Sequence, residues 1–374
     1  MIRDVVDRGD LGARALPEVE GEVRRLFEAR RLRAVAYGEP FATLWDAAGE
    51  CVLGGKMLRP GLLLGAFDAI AADGEAQAGR PAAVRIAAGV ELLHYAFLLH
   101  DDVIDGDLVR RGRPNLVGTI LNQRDAAAPD LDQAACDGAG PGRRHWATTS
   151  GMLVGDMLLS DAHQVFARER LPTGARERLL ELLDQVITAS IVGEHLDVGL
   201  SDGMVPPELA TTMLMTELKT AAYTFELPLR AAAILARSTP EVERLSAEAG
   251  RHLGVAFQLQ DDLLSVFGRA EEHGKDPFSD LRERKETAII AFARSTASWE
   301  RIDAALARPV LGDEDARHVR ALLVECGAER FTRSLVADEI LASRELLASS
   351  AGLLPPDLLR FLADLTVSIE ERRS

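Results

Sequence analysis

Apolar residues return every three or four positions along most of this chain, and that period restricts its fold more than any other feature. Between Pro81 and Asp105 the residues Ile86, Val90, Leu93 and Phe97 keep this spacing, so one face of a long helix is apolar and has to be buried. Ser238-Thr239-Pro240-Glu241 announces a second long helix. Ser238 is placed to cap it, Pro240 suits its first turn and Glu241 completes a capping box. That helix is expected to pass through Gln258 and Asp262 and to stop near Gly268. Helical patterns also cover roughly 12–36, 41–52, 59–72, 146–169, 174–199, 207–236, 285–306, 313–327, 329–349 and 356–370. Aromatic residues are only 5% of the chain, so its core must be built from Ala, Leu, Val and Ile, which favours helix over sheet.

The expected architecture is all-α, one large helical bundle, with residues 1–374 as a single domain. Length alone would suggest two or three domains, but no repeat or strand-rich half interrupts the pattern. Residues 122–144, NQRDAAAPDLDQAACDGAGPGRR, are polar, contain Gly and Pro and lack any period. They read as a surface loop.

The 43 Lys and Arg against 59 Asp and Glu give a net charge of −16, which argues against a nucleic-acid partner. Such a balance still permits a phosphorylated small molecule, because local cations can invert the field in a cleft. Cys51, Cys136 and Cys326 are far apart and suggest neither a disulfide framework nor a zinc site. The opening MIRDVVDRGD has no apolar core of a signal peptide, and apolar runs such as AFLLH stop well short of the ~20 residues needed to span a bilayer. A cytoplasmic protein without stable membrane insertion is expected.

Two acidic runs follow the two long helices. In Asp101-Asp102-Val103-Ile104-Asp105, Asp101 and Asp105 are helical neighbours with Cβ atoms ~5–6 Å apart. Carboxylates at a helix C-terminus oppose its dipole, but a pair so spaced suits a hard divalent cation such as Mg²⁺, which takes one or two carboxylates plus substrate phosphates. In Gln258-Leu259-Gln260-Asp261-Asp262 the partner four residues after Asp261 is Ser265, so this run is one carboxylate short. Clustered cations oppose both runs: Lys56 and Arg59 after two glycines, Arg110 and Arg111 just beyond Asp107, Lys219-Thr220 with Tyr223 one turn away, and Lys275. Taken singly, each acidic run could be a solvated helix end and each cation a turn or a screening charge. Together, carboxylates for Mg²⁺ and separated cations describe a site for two diphosphates.

On these residues the chain resembles the trans-isoprenyl diphosphate synthases, the all-helical polyprenyl synthetase family, and most of all bacterial geranylgeranyl diphosphate synthases. The matching stretches are GGKMLRP (54–60), HYAFLLHDDVIDGDLVRRGRP (94–114), GEHLDVGL (193–200), ELKTAAYTF (217–225) and FQLQDDLLSVFGRAEEHGKDPFSDLRERKET (257–287). The resemblance implies an isoprenoid-synthase bundle with a central cleft between two Asp-rich helix ends. It implies that Lys56, Arg59, His94 and Arg111 hold the diphosphate of isopentenyl diphosphate. Arg110, Lys219, Thr220, Gln258 and Lys275 would serve the allylic diphosphate, and Lys285 would close over the site. Asp101, Asp105 and Asp261 would bind three Mg²⁺, with Asp102 and Asp262 in support. It also suggests a homodimer. The chain departs from the family at Ser265, where a third aspartate is common, and at Arg284, where glycine is usual.

The prenyl chain should grow down the helix that carries Asp101. Phe97 lies one turn below on the same face, beside small Ala96, and forms a floor that favours a C15 to C20 product, with C20 preferred. Two other readings are a class I terpene cyclase, to which Ser265 lends some likeness, and a non-catalytic subunit of a heteromeric synthase. The cyclase motif needs a carboxylate where Arg269 stands, and a cyclase has no use for Lys56, Arg59, His94 and Arg111. A non-catalytic subunit would have no need to keep Asp101, Asp105 and Asp261.

Overall fold

The computed structural model describes residues 12–52, 55, 57–71, 75–110, 112–123, 140–268, 278–308 and 311–372. Lys56, Arg111, Lys275 and most of the 122–144 segment lie outside these described residues. The chain is helical almost throughout, through α1 (Gly12–Ala34), α2 (Glu39–Val52), α3 (Leu58–Ile70), α4 (Glu75–Ile104), α5 (Leu116–Asn122) and α6 (Pro141–Arg168). There follow α7 (Thr173–Ser201), α8 (Leu209–Thr216), α9 (Leu227–Leu235), α10 (Pro240–Phe267), α11 (Ser279–Arg282) and α12 (Ala288–Arg294). The last are α13 (Trp299–Leu306), α14 (Asp313–Glu325), α15 (Ala328–Ser349) and α16 (Pro356–Glu370). Among the described residues the one sheet is a two-residue hairpin, β1 (Val109–Arg110) antiparallel to β2 (Arg113–Pro114). The fold is all-α, as the period requires. The chain gathers into two compact units, one of Ala13–Gly61 with Arg80–Pro172, the other including Leu62–Gly79 and Thr173–Ser374.

In the first unit the stripe of α4 is the core: Ile86, Val90 and Leu93 are each 0% exposed. Burying each such side chain contributes about 1.5–3 kcal/mol. Residues 78–104 are long and apolar enough to cross a membrane by composition, yet 67% of that window is buried inside the fold, as expected of a core helix. A Cβ at Gly155 would stand 2.5 Å from His100, so the glycine lets α6 lie against the last turns of α4. That contact helps to fix the end of α4 where Asp101 sits.

In the second unit α10 packs against α15 and against the segment Glu217–Glu226. The helix expected over 207–236 is divided here, because Glu217–Glu226 is π-helical. Pro228, at the start of α9, has no N–H for the carbonyl four residues back, and the Leu227 N–H bonds Ala222 instead, five residues back. The widened turn carries Lys219 and Thr220, and π turns often mark functional sites.

Two other local expectations are corrected. Thr239, not Ser238, caps α10, its hydroxyl accepting from the Val242 N–H at 3.3 Å. Pro240 disfavours helical backbone at the residue before it, which holds Thr239 extended in the cap position. Glu241 pairs with Arg244 at 2.8 Å rather than closing a capping box. The helix expected over 285–306 is broken between α12 and α13, where the Ser295 and Thr296 hydroxyls each donate at 2.7 Å to carbonyls three residues back. Such bonds compete with helix continuation.

Candidate active site

In the first unit α4 stops through a C-terminal cap written in the sequence. Gly106 takes φ +72°, and the Asp107 N–H bonds the Asp102 carbonyl at 2.9 Å, the six-to-one bond of a Schellman motif. Asn115 holds the returning chain. Its side chain accepts from the Gly118 N–H at 2.8 Å and donates to the Asp107 carbonyl at 2.7 Å. A Cβ at Gly118 would fall 2.1 Å from the Leu108 carbonyl oxygen, so only glycine permits this turn.

The hairpin brings Arg110 back over the aspartates. Its Nε and Nη2 donate to Asp102 at 2.8 and 2.5 Å, and Nη2 also reaches Asp101 at 3.2 Å. Asp102 is only 3% exposed, and burial pushes its carboxyl up even against the hydrogen bond from Arg110. Burial pulls the Arg110 guanidinium the other way, but the bond to Asp102 and the charges of Asp101 and Asp107 outweigh it and hold the guanidinium firmly protonated. Asp105 is exposed and Asp101 half-buried. Asp101 and Asp105 are thus the carboxylates of this run that face outward, one turn apart. Below them Ala96 is fully buried and Phe97 half-buried. Arg59 at the start of α3 and His94 on α4 are also half-buried.

The second unit presents a different arrangement. On the π turn, Lys219 Nζ lies 2.5 Å from Asp197 and 2.9 Å from Glu194, both on α7. A Cβ at Gly193 would stand 2.3 Å from the Lys219 backbone nitrogen, so this glycine allows the close approach. The Thr220 hydroxyl donates to Gln258 Oε1 at 3.0 Å, and Gln258 Nε2 donates to Asp262 at 2.8 Å. Asp262 is 5% exposed. Burial first, then the charges of Asp280, Asp261 and Asp197, push its carboxyl well above the usual range, against the Gln258 bond. The Ser265 hydroxyl lies between the Asp262 carbonyl and the Asp280 carboxylate. Asp261 is engaged by Arg372, 2.5 Å away, whose guanidinium stacks 4.2 Å over Phe257. Lys285 pairs with Glu283 at 3.0 Å.

Arg284 follows α11 by two residues. Its φ is +55°, and the Lys285 N–H bonds the Asp280 carbonyl at 2.9 Å, so position 284 is the left-handed residue of a second Schellman cap. Glycine is the natural occupant, and an arginine there costs about 1 kcal/mol.

Of the expected site residues, the structure joins Asp101 and Asp102 to Arg110, and Thr220 to Gln258 and Asp262. It sets Lys219 and Lys285 on carboxylates. Asp280, Glu194, Asp197 and Arg372 were not anticipated. Glu194 and Asp197 carried a signal, two carboxylates three apart in GEHLDVGL. Arg372, 111 residues from its partner, carried none.

Among the described residues no group of three or more His, Cys, Asp or Glu forms a ready-made metal cage. Asp101 and Asp105, two oxygen donors one turn apart and facing outward, still fit Mg²⁺ of the kind that takes few protein ligands and completes its shell with phosphate and water. Asp102, 3% exposed and held by two bonds from Arg110, stands behind them in support.

The chain is similar to known proteins over the span that holds both arrangements. A (2E,6E)-farnesyl diphosphate synthase of Mycobacterium bovis is 31% identical over 285 residues, 74% of this chain and 68% of its own length. The octaprenyl diphosphate synthase of Escherichia coli K12 is 30% identical over 302 residues, 79% of this chain and 80% of its own. The solved geranylgeranyl pyrophosphate synthase of Corynebacterium glutamicum, complexed with isoprenyl diphosphate and magnesium, superposes with a TM-score of 0.83 at 25% identity, covering 100% of both chains. The family model for polyprenyl synthetase matches residues 42–323, a span holding both acidic runs and every cation set against them except Arg372, and the chain belongs to that family of prenyltransferases.

Proposed function

We propose that the protein condenses isopentenyl diphosphate with an allylic diphosphate to a short trans-prenyl diphosphate of C15 to C20, geranylgeranyl diphosphate being favoured. The observation that carries the reading is the pair Asp101 and Asp105, left facing outward at the end of a buried helix while Arg110 takes up Asp102. Asp101, Asp105 and Asp261 would hold Mg²⁺, three ions by family resemblance, which when bound supply positive charge to a departing diphosphate. Arg110 and Lys219, with Lys275, add fixed cations to the same group, and Thr220 and Gln258 orient it; such preorganised charge favours an ionising transition state. Lys56, Arg59, His94 and Arg111 hold the second diphosphate, and Lys285 closes over the site. The apolar faces of α4 and α10 keep water from the allylic cation. No protein base is needed, since the released diphosphate can take the final proton.

Phe97 supports the short product, because an aromatic ring one turn below Asp101 leaves little depth for a growing chain. The relatives differ among themselves in product length, so the floor is the discriminating feature of this chain. We further propose that the protein works as a homodimer in a cytoplasmic setting, to which the free thiols of Cys51 and Cys326 are suited. The test is to incubate the purified protein with isopentenyl diphosphate, Mg²⁺ and each allylic primer, and to identify products by mass spectrometry. Elongation stopping at C20 is expected. No elongation with any primer overturns the reading, and a hydrocarbon formed from one long prenyl diphosphate without isopentenyl diphosphate would establish the cyclase in its place.

A further inference from the structure

The other concentration of cations lies away from both acidic runs, wholly inside the first unit. A cavity of about 660 Å³ opens where α1, α4 and the end of α6 meet, and six guanidiniums line it against three carboxylates. In a chain of net charge −16, such a local excess of positive charge is a departure from the surface as a whole. Arg85, on the cavity wall, precedes Asp101 on α4 by sixteen residues, about 24 Å at 1.5 Å per residue, so the two sites are separate.

The three carboxylates are already satisfied. Arg85 grips Glu169 through two bonds of 2.7 Å, and Glu169 is 6% exposed. Arg30 grips Asp161 in the same two-pronged way, Nε donating to Oδ2 and Nη2 to Oδ1, and Arg25 grips Glu22 at 2.8 and 2.6 Å. These pairs brace the walls. Arg33, Arg168 and Arg170 line the same space, and their side chains make no ion pair or hydrogen bond among the described residues. The helix dipole accounts for Arg33 and Arg168, in the last turns of α1 and α6. It does not account for Arg170, which lies beyond α6, or for the convergence of all three on one concave space with Leu26, Ala29 and Val165 as an apolar wall.

We propose that this cavity is a second, metal-independent binding site for a diphosphate-bearing anion. Planar guanidinium forks match phosphate oxygens in pairs. The cations approach from the ends of two helices, so an anion with two linked phosphoryl groups can meet both sides. The concave wall also focuses the positive potential where the ligand would lie. The inference goes beyond prenyl transfer and stands or falls independently of it.

The test is calorimetric titration of inorganic diphosphate into the full-length protein in EDTA, which removes any metal-bridged binding. Because the proposed isopentenyl diphosphate site also needs no metal, the titration is repeated in Arg59→Ser. Saturable binding should survive in Arg59→Ser and weaken at least tenfold when Arg33→Ser, Arg168→Ser and Arg170→Ser are added. It should also weaken as salt rises. The triple variant with Arg59 intact should keep its elongation rate and its circular dichroism, since all three arginines are exposed. Geranyl diphosphate in the Arg59→Ser protein separates the sources. Tighter binding than inorganic diphosphate assigns the apolar wall to a prenyl chain, and equal binding assigns the site to free diphosphate. Absence of saturable binding in Arg59→Ser, equal binding in the protein lacking the three arginines, or equal binding of sulfate would each overturn the proposal.

Discussion

The two acidic runs begin with the same pair of residues and are finished by different neighbours. At the end of α4 the third carboxylate is Asp105, exposed and one turn from Asp101, and Arg110 is directed chiefly to buried Asp102. At the end of α10 the corresponding position is Ser265, which binds Asp280 instead, and Arg372 covers Asp261. Both ends bury one carboxylate, Asp102 or Asp262, and pair the one before it with an arginine, but the first also keeps a third carboxylate, Asp105, at the surface. A hard cation meets an exposed carboxylate at Asp105 and an arginine-paired one at Asp261, so the two runs should contribute unequally to metal binding.

That inequality can be broken first at Asp101. Asp101→Ala should abolish elongation, a loss on the order of 10³-fold or more when a charge-stabilising group of this kind is removed. Asp261→Ala should cost less, on the order of 10²-fold, and equal losses in steady-state assays would erase the asymmetry. Arg372→Ala, by freeing Asp261, should lower the Mg²⁺ concentration needed for half-maximal rate several-fold, and an unchanged Mg²⁺ dependence would show that the pair does not compete with the metal. Phe97→Ala should lengthen the product beyond C20 with little change in rate, seen by mass spectrometry. The smallest effect is on stability. Asp262→Asn keeps the Gln258 bond but removes a buried charge repelled by Asp280, Asp261 and Asp197, and in EDTA should raise the melting temperature by a few degrees.

The helices were legible because burial of one face leaves a period in the sequence, and Ile86, Val90 and Leu93 are buried as that period requires. Their interruptions were less so. The π turn at Glu217–Glu226 ends just before Pro228 and lies close against Gly193, and only the first of these is visible locally. The choice of Thr239 over Ser238 as cap follows from Pro240 alone. At the candidate site, the carboxylates and their nearby cations were readable because helical spacing brings them together. Asp280 and Arg372 were not, since their contacts with Ser265 and Asp261 close across 15 and 111 residues. No local rule carries such information.

If allylic diphosphates are elongated at the end of α4 through Asp101 and Asp105, loss of Asp101 should stop the reaction. The most direct measurement compares isopentenyl diphosphate incorporation by the wild-type protein and by Asp101→Ala, each folded by circular dichroism and supplied with saturating Mg²⁺ and farnesyl diphosphate. C20 product is expected from the wild type and none above background from the variant. Undiminished turnover by Asp101→Ala would contradict it.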